Sequence, residues 1–226
     1  MNTLILGIDD AGRGPVVGPM ILAGCLITEE TEKEFRKLGV RDSKQLTKKR
    51  RAFLENIIKE KSESFFLQKA NASEIDSKNS DGVNLNDLEA HMAAKIINEI
   101  NSASKVMGKK IKVVIDCPSV NRTSWRNTLI MKVENLSNLE ISCEHKADRN
   151  HVAVSAASIL AKEEREREMD ILRVKYEGIG SGYSSDPKTT HFLEKNLKKL
   201  EHKGIFRKTW KTWKKAHGDS KQKKLF

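Results

Sequence analysis

The chain has 226 residues, 38% apolar and 32% charged, with 42 basic against 31 acidic side chains and three cysteines. That length suits one large domain, or one with a small appendage, and the apolar residues fall in periodic blocks that can build a core, which excludes wholesale disorder. Eighteen apolar residues never run together and Met1-Asn2-Thr3 opens without a basic leader, so neither a membrane span nor a secretory signal is expected.

In chain order, Leu4 to Ile8 is a short apolar block of strand length, followed by Asp9-Asp10 and a glycine- and proline-rich turn through Pro19. Met20 to Thr28 reads as a second strand. Thr47 through Lys61 carries Phe53, Leu54, Ile57 and Ile58 at helical spacing. Asn86, with Glu89 three residues on, is a capping-box pattern that opens a helix through Met92, Ile96, Ile97 and Ile100. Ile111 to Ile115 is continuous enough in apolar character to be buried on both faces, and Asp116 follows it at once. A helix over 122–133, a strand over 139–143 and a long helix over 152–176 complete the pattern. The last begins small and buried in character and ends heavily charged. Strands alternating with helices imply an α/β fold.

Cys25, Cys117 and Cys143 lie far apart with no Cys-x-x-Cys pair, and read as reduced core thiols of a cytoplasmic protein. The positive charge is placed unevenly: ten of the eleven net charges fall in residues 195–226. There Phe206, Trp210 and Trp213 alternate with Arg207, Lys208, Lys211, Lys214 and Lys215. Such a segment docks through its rings while facing phosphates, so a polyanion is the natural partner.

Asp9, Asp10, Asp116 and Asp148 sit at strand exits or beside a helix start, the edge of an open α/β sheet where ligands bind. If the four converge, their repulsion requires protons or divalent cations. Hard oxygen donors without a histidine or cysteine cluster favour magnesium or manganese over zinc. Carboxylates together with a basic face point to phosphodiester chemistry, in which two cations about 3.5 to 4 Å apart activate a water and stabilise the leaving oxygen. The stretch Gly12 to Pro19 is no dinucleotide loop, because Val17 stands where the third glycine belongs. Its glycines instead let backbone amides approach a substrate closely.

Taken together, Gly7-Ile8-Asp9-Asp10-Ala11-Gly12-Arg13-Gly14-Pro15, Asp42-Ser43-Lys44, Asp116-Cys117-Pro118, Lys146-Ala147-Asp148, the stretch from Val154 to Lys162, and Gly180-Ser181-Gly182-Tyr183 resemble ribonuclease HII, in that family's order and over roughly residues 4 to 190. The length and basic C-terminal region are most similar to its archaeal, single-chain members. The resemblance implies a ribonuclease-H-like α/β core with a mixed central sheet over residues 1–190 and a small basic helical part over 191–226. It implies cleavage of the RNA strand of RNA/DNA hybrids and of single ribonucleotides in duplex DNA, 5′ of the ribonucleotide, leaving a 3′-hydroxyl and a 5′-phosphate. Asp9, Asp10, Asp116 and Asp148 would hold two ions, Mg²⁺ or Mn²⁺. Gly12, Arg13 and Gly14 would read the 2′-hydroxyl, and Tyr183 would sense the ribo–deoxy junction. Ser43, Lys44, Lys146 and Lys162 would hold phosphates.

Asp10 departs from the family's Asp-Glu pair and is one methylene shorter. The expectation is an active enzyme with altered metal preference or rate; the alternative is an impaired nucleic-acid-binding protein of the same fold. Gln222 to Phe226 is similar to a truncated sliding-clamp docking peptide, and nothing in the chain requires more than a monomer.

Overall fold

The computed structural model describes residues 3–40, 46–103, 106 and 108–222, the last four for backbone alone. Five strands, β1 (Leu4–Ala11), β2 (Met20–Ile27), β3 (Ser64–Ala70), β4 (Ile111–Asp116) and β5 (Leu139–Glu144), form one sheet in the order β3-β2-β1-β4-β5. β1 runs antiparallel to β2 and parallel to β4, and β4 parallel to β5, so the sheet is mixed, as expected. The helices are α1 (Glu29–Leu38), α2 (Lys48–Lys61), α3 (Ala72–Ser80), α4 (Leu85–Ser102), α5 (Arg122–Ile130), α6 (Ala147–Asn150), α7 (Val152–Lys175), α8 (Pro187–Leu200) and α9 (Lys211–Gln222).

Local chemistry sets several of these boundaries. Thr28 and Thr47 cap α1 and α2 by accepting from the Thr31 and Arg50 amides. Asp186 caps α8, whose first residue, Pro187, lacks the N–H that would otherwise go unsatisfied. Two readings need correction. β1 extends to Ala11, so Asp9 and Asp10 lie within the strand, because pairing with Leu22 and Ala23 of β2 continues past the apolar block. α4 starts at Leu85, which puts Asn86 inside its first turn, where its carbonyl accepts the Trp125 indole N–H at 2.9 Å. β3, α1 and α3 carried too weak a pattern to be anticipated. α1 buries only Phe35, and edge strand β3 is half-buried along most of its length.

The chain folds as two compact units that interleave in sequence: Met1–Ala11, Ile21–Gln68 and Asn86–Glu163 form one, and Gly12–Met20, Lys69–Leu85 and Glu164–Phe226 the other. In the first unit the sheet is covered on both faces. Ala23, Cys25 and Ile27 pack with Phe35, Leu54, Ile58 and the small residues of α7. On the opposite face Gly24 lies against α4, where an added Cβ would meet Ile96 Cγ2 at 2.3 Å. In β4 only Lys112 is exposed, which fits a strand between helical layers.

The core of the second unit gathers Val16, Val17, Phe192, Leu193, Phe206 and Trp213. Trp213 thus anchors α9 while Lys211, Lys214 and Lys215 stay exposed, so along this helix the ring faces in and the cations face out. The charged half of α7 is less solvated than its composition suggests, since Arg165 and Met169 are buried.

Candidate active site

The sheet register brings two acids side by side. Ile8 of β1 is paired with Ile115 of the parallel neighbour β4, so Asp9 and Asp116, one residue on in each strand, both lie at the carboxyl end of the sheet where ligands of α/β folds bind. Asp10 follows on β1 and lines the same cleft as Asp9 and Asp116, together with Glu89, Pro118 and Trp125. Asp148 is not part of that lining. It is buried on α6, and α6 is tied to the cleft because the Ala147 amide donates to Asp116 Oδ1 at 3.1 Å. Ser155 Oγ donates to the Asp148 carbonyl and fixes the start of α7 to the same short helix.

Burial holds the Asp9 carboxyl well above the usual carboxylate range, and the charges of Asp10 and Asp116 push it the same way. Hydrogen bonds from the Ser158 side chain and the Asp10 amide, the latter at 2.8 Å, partly oppose the rise. Consecutive residues of a strand leave opposite faces of the sheet, and among the described residues no three His, Cys, Asp or Glu side chains stand close enough to hold one ion. The donors nevertheless fit a hard divalent cation in kind. The cleft offers carboxylates without imidazole or thiolate, and its buried acid is discouraged from ionising by neighbours whose charge a cation would offset.

Glu89, Trp125 and Ser158 carried no role in the sequence reading. Glu89 passed as half of a capping box, and its place in the cleft depends on α4 packing over the sheet. No local pattern announces it.

In the second unit the glycine-rich turn is fixed from several sides. The Val16 and Val17 amides donate to the Gly182 carbonyl at 2.9 and 3.2 Å, joining the turn to the loop that carries Tyr183. Gly12 has φ +86°, and a Cβ there would lie 2.3 Å from Arg165 Nε, so glycine is required by both backbone and space. Arg165 itself is buried; it donates to the Ser181 carbonyl at 3.1 Å and lies 5.1 Å from the centre of the Tyr183 ring. Tyr183 is 39% exposed, with the Arg165 guanidinium over its ring. Arg13 is half-buried and Gly14 exposed.

Among the expected phosphate-holding residues, Lys146 is exposed and Lys162 half-buried. Lys146 has φ +57°, the only left-handed non-glycine among the described residues, a strained conformation directly before α6 and Asp148. Ser43 and Lys44 lie outside the described residues, as do 223–226 and the side chain of Gln222. Arg207 requires a correction: it was counted among the surface cations but is fully buried.

Other chemistries lose their partners. Burial pushes the Cys143 thiol up to about 12, so without a bound cation it is not a thiolate nucleophile at neutral pH. His145 Nδ1 lies 3.1 Å from the Cys117 carbonyl and His151 pairs with Glu144 at 2.8 Å, so neither pairs with a nucleophile.

A mixed five-stranded sheet between helical layers, with acids at the carboxyl ends of adjacent strands, defines an α/β protein of the ribonuclease-H-like class. The model of the family described as Ribonuclease HII matches residues 6–213. Ribonuclease HII of Methanocaldococcus jannaschii is 40% identical over 232 residues, covering 98% of each chain. Ribonuclease H2 of Pyrococcus horikoshii OT3 superposes with a TM-score of 0.82 at 33% identity, over 96% of this chain and 98% of that one. The RNase HII of Archaeoglobus fulgidus, solved as a complex with PCNA, gives 0.79 at 32% identity, over 92% and 95%. The chain belongs to the ribonuclease HII family and is an endoribonuclease H, a hydrolase. No described helix is long and apolar enough to cross a membrane.

Proposed function

We propose that this chain cuts the RNA strand of RNA/DNA hybrids and single ribonucleotides in duplex DNA, 5′ of the ribonucleotide, leaving a 3′-hydroxyl and a 5′-phosphate. The observation that carries the reading is the placement of Asp9 and Asp116, each one residue past the Ile8–Ile115 pair of adjacent parallel strands, with burial and like charge opposing ionisation of Asp9. Asp9, Asp10, Asp116 and Asp148 would hold two divalent cations, Mg²⁺ or Mn²⁺, which when bound supply an activated water and stabilisation of the leaving oxygen.

The chain's own residues do the rest. Gly12, Arg13 and Gly14 hydrogen-bond the 2′-hydroxyl, and an all-DNA strand leaves those polar groups unanswered, which gives selectivity without base contacts. Tyr183 packs on the sugar at the ribo–deoxy junction. Ser43, Lys44, Lys146 and Lys162 hold backbone phosphates. Residues 1–190 carry the chemistry and 191–226 add a basic grip whose strength falls with salt. The enzyme acts in the cytoplasm as a monomer. Docking of Gln222 to Phe226 on a sliding clamp is supported by the PCNA complex of the Archaeoglobus fulgidus relative, and removal of those five residues should abolish clamp binding with cleavage unchanged.

The deciding measurement is a duplex carrying one ribonucleotide, incubated with Mg²⁺ or Mn²⁺, with the cut position mapped. A single cut 5′ of the ribonucleotide is expected, faster with one metal than the other. Because Asp10 is one methylene short of glutamate, Asp10→Glu should change that preference. Hybrid binding without cleavage under either metal would instead favour an impaired binding protein of this fold.

A further inference from the structure

The basic C-terminal region contains one guanidinium turned wholly inward. Arg207 heads the largest fully buried side chains among the described residues and directs its donors to three carbonyls of the glycine-rich turn. Nη2 donates to Gly12 at 2.6 Å and Gly18 at 3.0 Å, Nη1 to Arg13 at 2.7 Å, and Nε to Gly18 at 3.1 Å. The same segment gives the Trp210 indole N–H to the Gly14 carbonyl at 3.2 Å and the Arg207 amide to the Val16 carbonyl at 2.9 Å. Trp210 also lies beneath the guanidinium, 5.1 Å from ring centre to Cζ. The segment is itself fixed, since Asp76 of α3 accepts from the Lys208 and Thr209 amides at 2.6 and 3.0 Å.

We propose that Arg207, with Trp210, is a positioning residue that presets the sugar-reading turn, so that the C-terminal region sets selectivity for ribose as well as grip on phosphates. The inference rests on the reading of Gly12 to Gly14 given above. A peptide unit is planar and trans, so pinning the carbonyls of Gly12 and Arg13 fixes the amide N–H groups of Arg13 and Gly14 in the opposite direction. In the reading given above, these are the amides that a 2′-hydroxyl would meet. A charged donor on each carbonyl also polarises its peptide and strengthens the N–H at the other end. A buried guanidinium is costly unless its donors are satisfied. An apolar side chain would fill the volume but leave the carbonyls of Gly12, Arg13 and Gly18 without these donors. Lysine brings charge but not a planar fork, and cannot reproduce the bonds to three carbonyls.

The test compares full-length wild type, Arg207→Lys and Trp210→Phe with Mn²⁺, on a duplex carrying one ribonucleotide and on its all-deoxy counterpart. In Arg207→Lys, kcat/KM on the ribonucleotide duplex should fall roughly 10- to 100-fold, through weaker binding of that duplex as well as a lower kcat, with a smaller loss in Trp210→Phe. Affinity for the all-deoxy duplex, set by phosphate contacts, should stay within about twofold, so the preference for ribonucleotide over all-deoxy binding shrinks. A merely structural residue would lower only the folded fraction, and an unchanged preference in the folded variant would overturn the proposal. If Arg207→Lys does not fold by circular dichroism, Trp210→Phe decides in the same way. Wild type that cuts neither duplex defeats the functional reading, and the inference falls with it. Wild type that cuts selectively, beside variants equally selective, defeats the inference alone.

Discussion

Replacing Asp9 by asparagine is expected to lower hybrid cleavage by about 100- to 1000-fold while making the metal-free protein more stable. The buried carboxyl holds its proton to a higher pH than the unfolded chain does. As pH rises past ~4, where the unfolded carboxyl ionises, and through the folded-state value, stability is therefore lost, and the cost stays in place above it. Asparagine has no such dependence. The two proteins should melt alike below about pH 4 and diverge towards pH 8, where removal of an active-site strain of about 1 kcal/mol raises Tm by roughly 2 to 4 °C. Added Mn²⁺ should raise the Tm of wild type, since a cation that binds the folded state alone stabilises it, and should do little for the variant. Full-rate cleavage by the variant would remove Asp9 from the site, and a lower Tm at pH 8 would show that its ionised form is no burden.

Gly7→Ala should strongly destabilise the unit built on the central sheet. Gly7 lies on the same face of β1 as Asp9, where α7 crosses so closely that an added Cβ would sit 2.1 Å from the Ala153 carbonyl carbon and 2.2 Å from the Val154 amide nitrogen. Both are backbone atoms of a helix and cannot rotate aside. The helix must be displaced, and Ser158, the partner of Asp9, moves with it. The expected cost is about 3 kcal/mol or more, above ordinary overpacking because no side chain can yield. Urea unfolding followed by circular dichroism measures it; a midpoint within error of wild type would mean that the contact between β1 and α7 is looser than described.

Much of the fold was legible because its signals are local. The apolar blocks at 4–8, 20–27 and 111–115 are strands, and Thr47 opens a helix through the hydrogen-bonding chemistry of a single residue. Elements with one buried anchor were silent. α1 depends on Phe35, and β3 borrows its order from an edge position.

The site divides in the same way. The four aspartates, the glycine-rich turn and Tyr183 carry their chemistry in their identities, and their order along the chain matches a family pattern. Glu89, Arg165 and Arg207 do not. Each is an ordinary residue on a helix or in a basic tail until the chain folds, and a charge run cannot say which of its members turns inward.

Sequence by itself therefore determined the four aspartates, the glycine-rich turn, the basic C-terminal region and the family, because these depend on residue type and order. Only the tertiary structure decided that Asp9 and Asp116 are neighbours and that Arg207 holds a turn nearly two hundred residues away. Both are set by sheet register and by the burial of a side chain whose partners are backbone carbonyls, and neither leaves a trace in local composition.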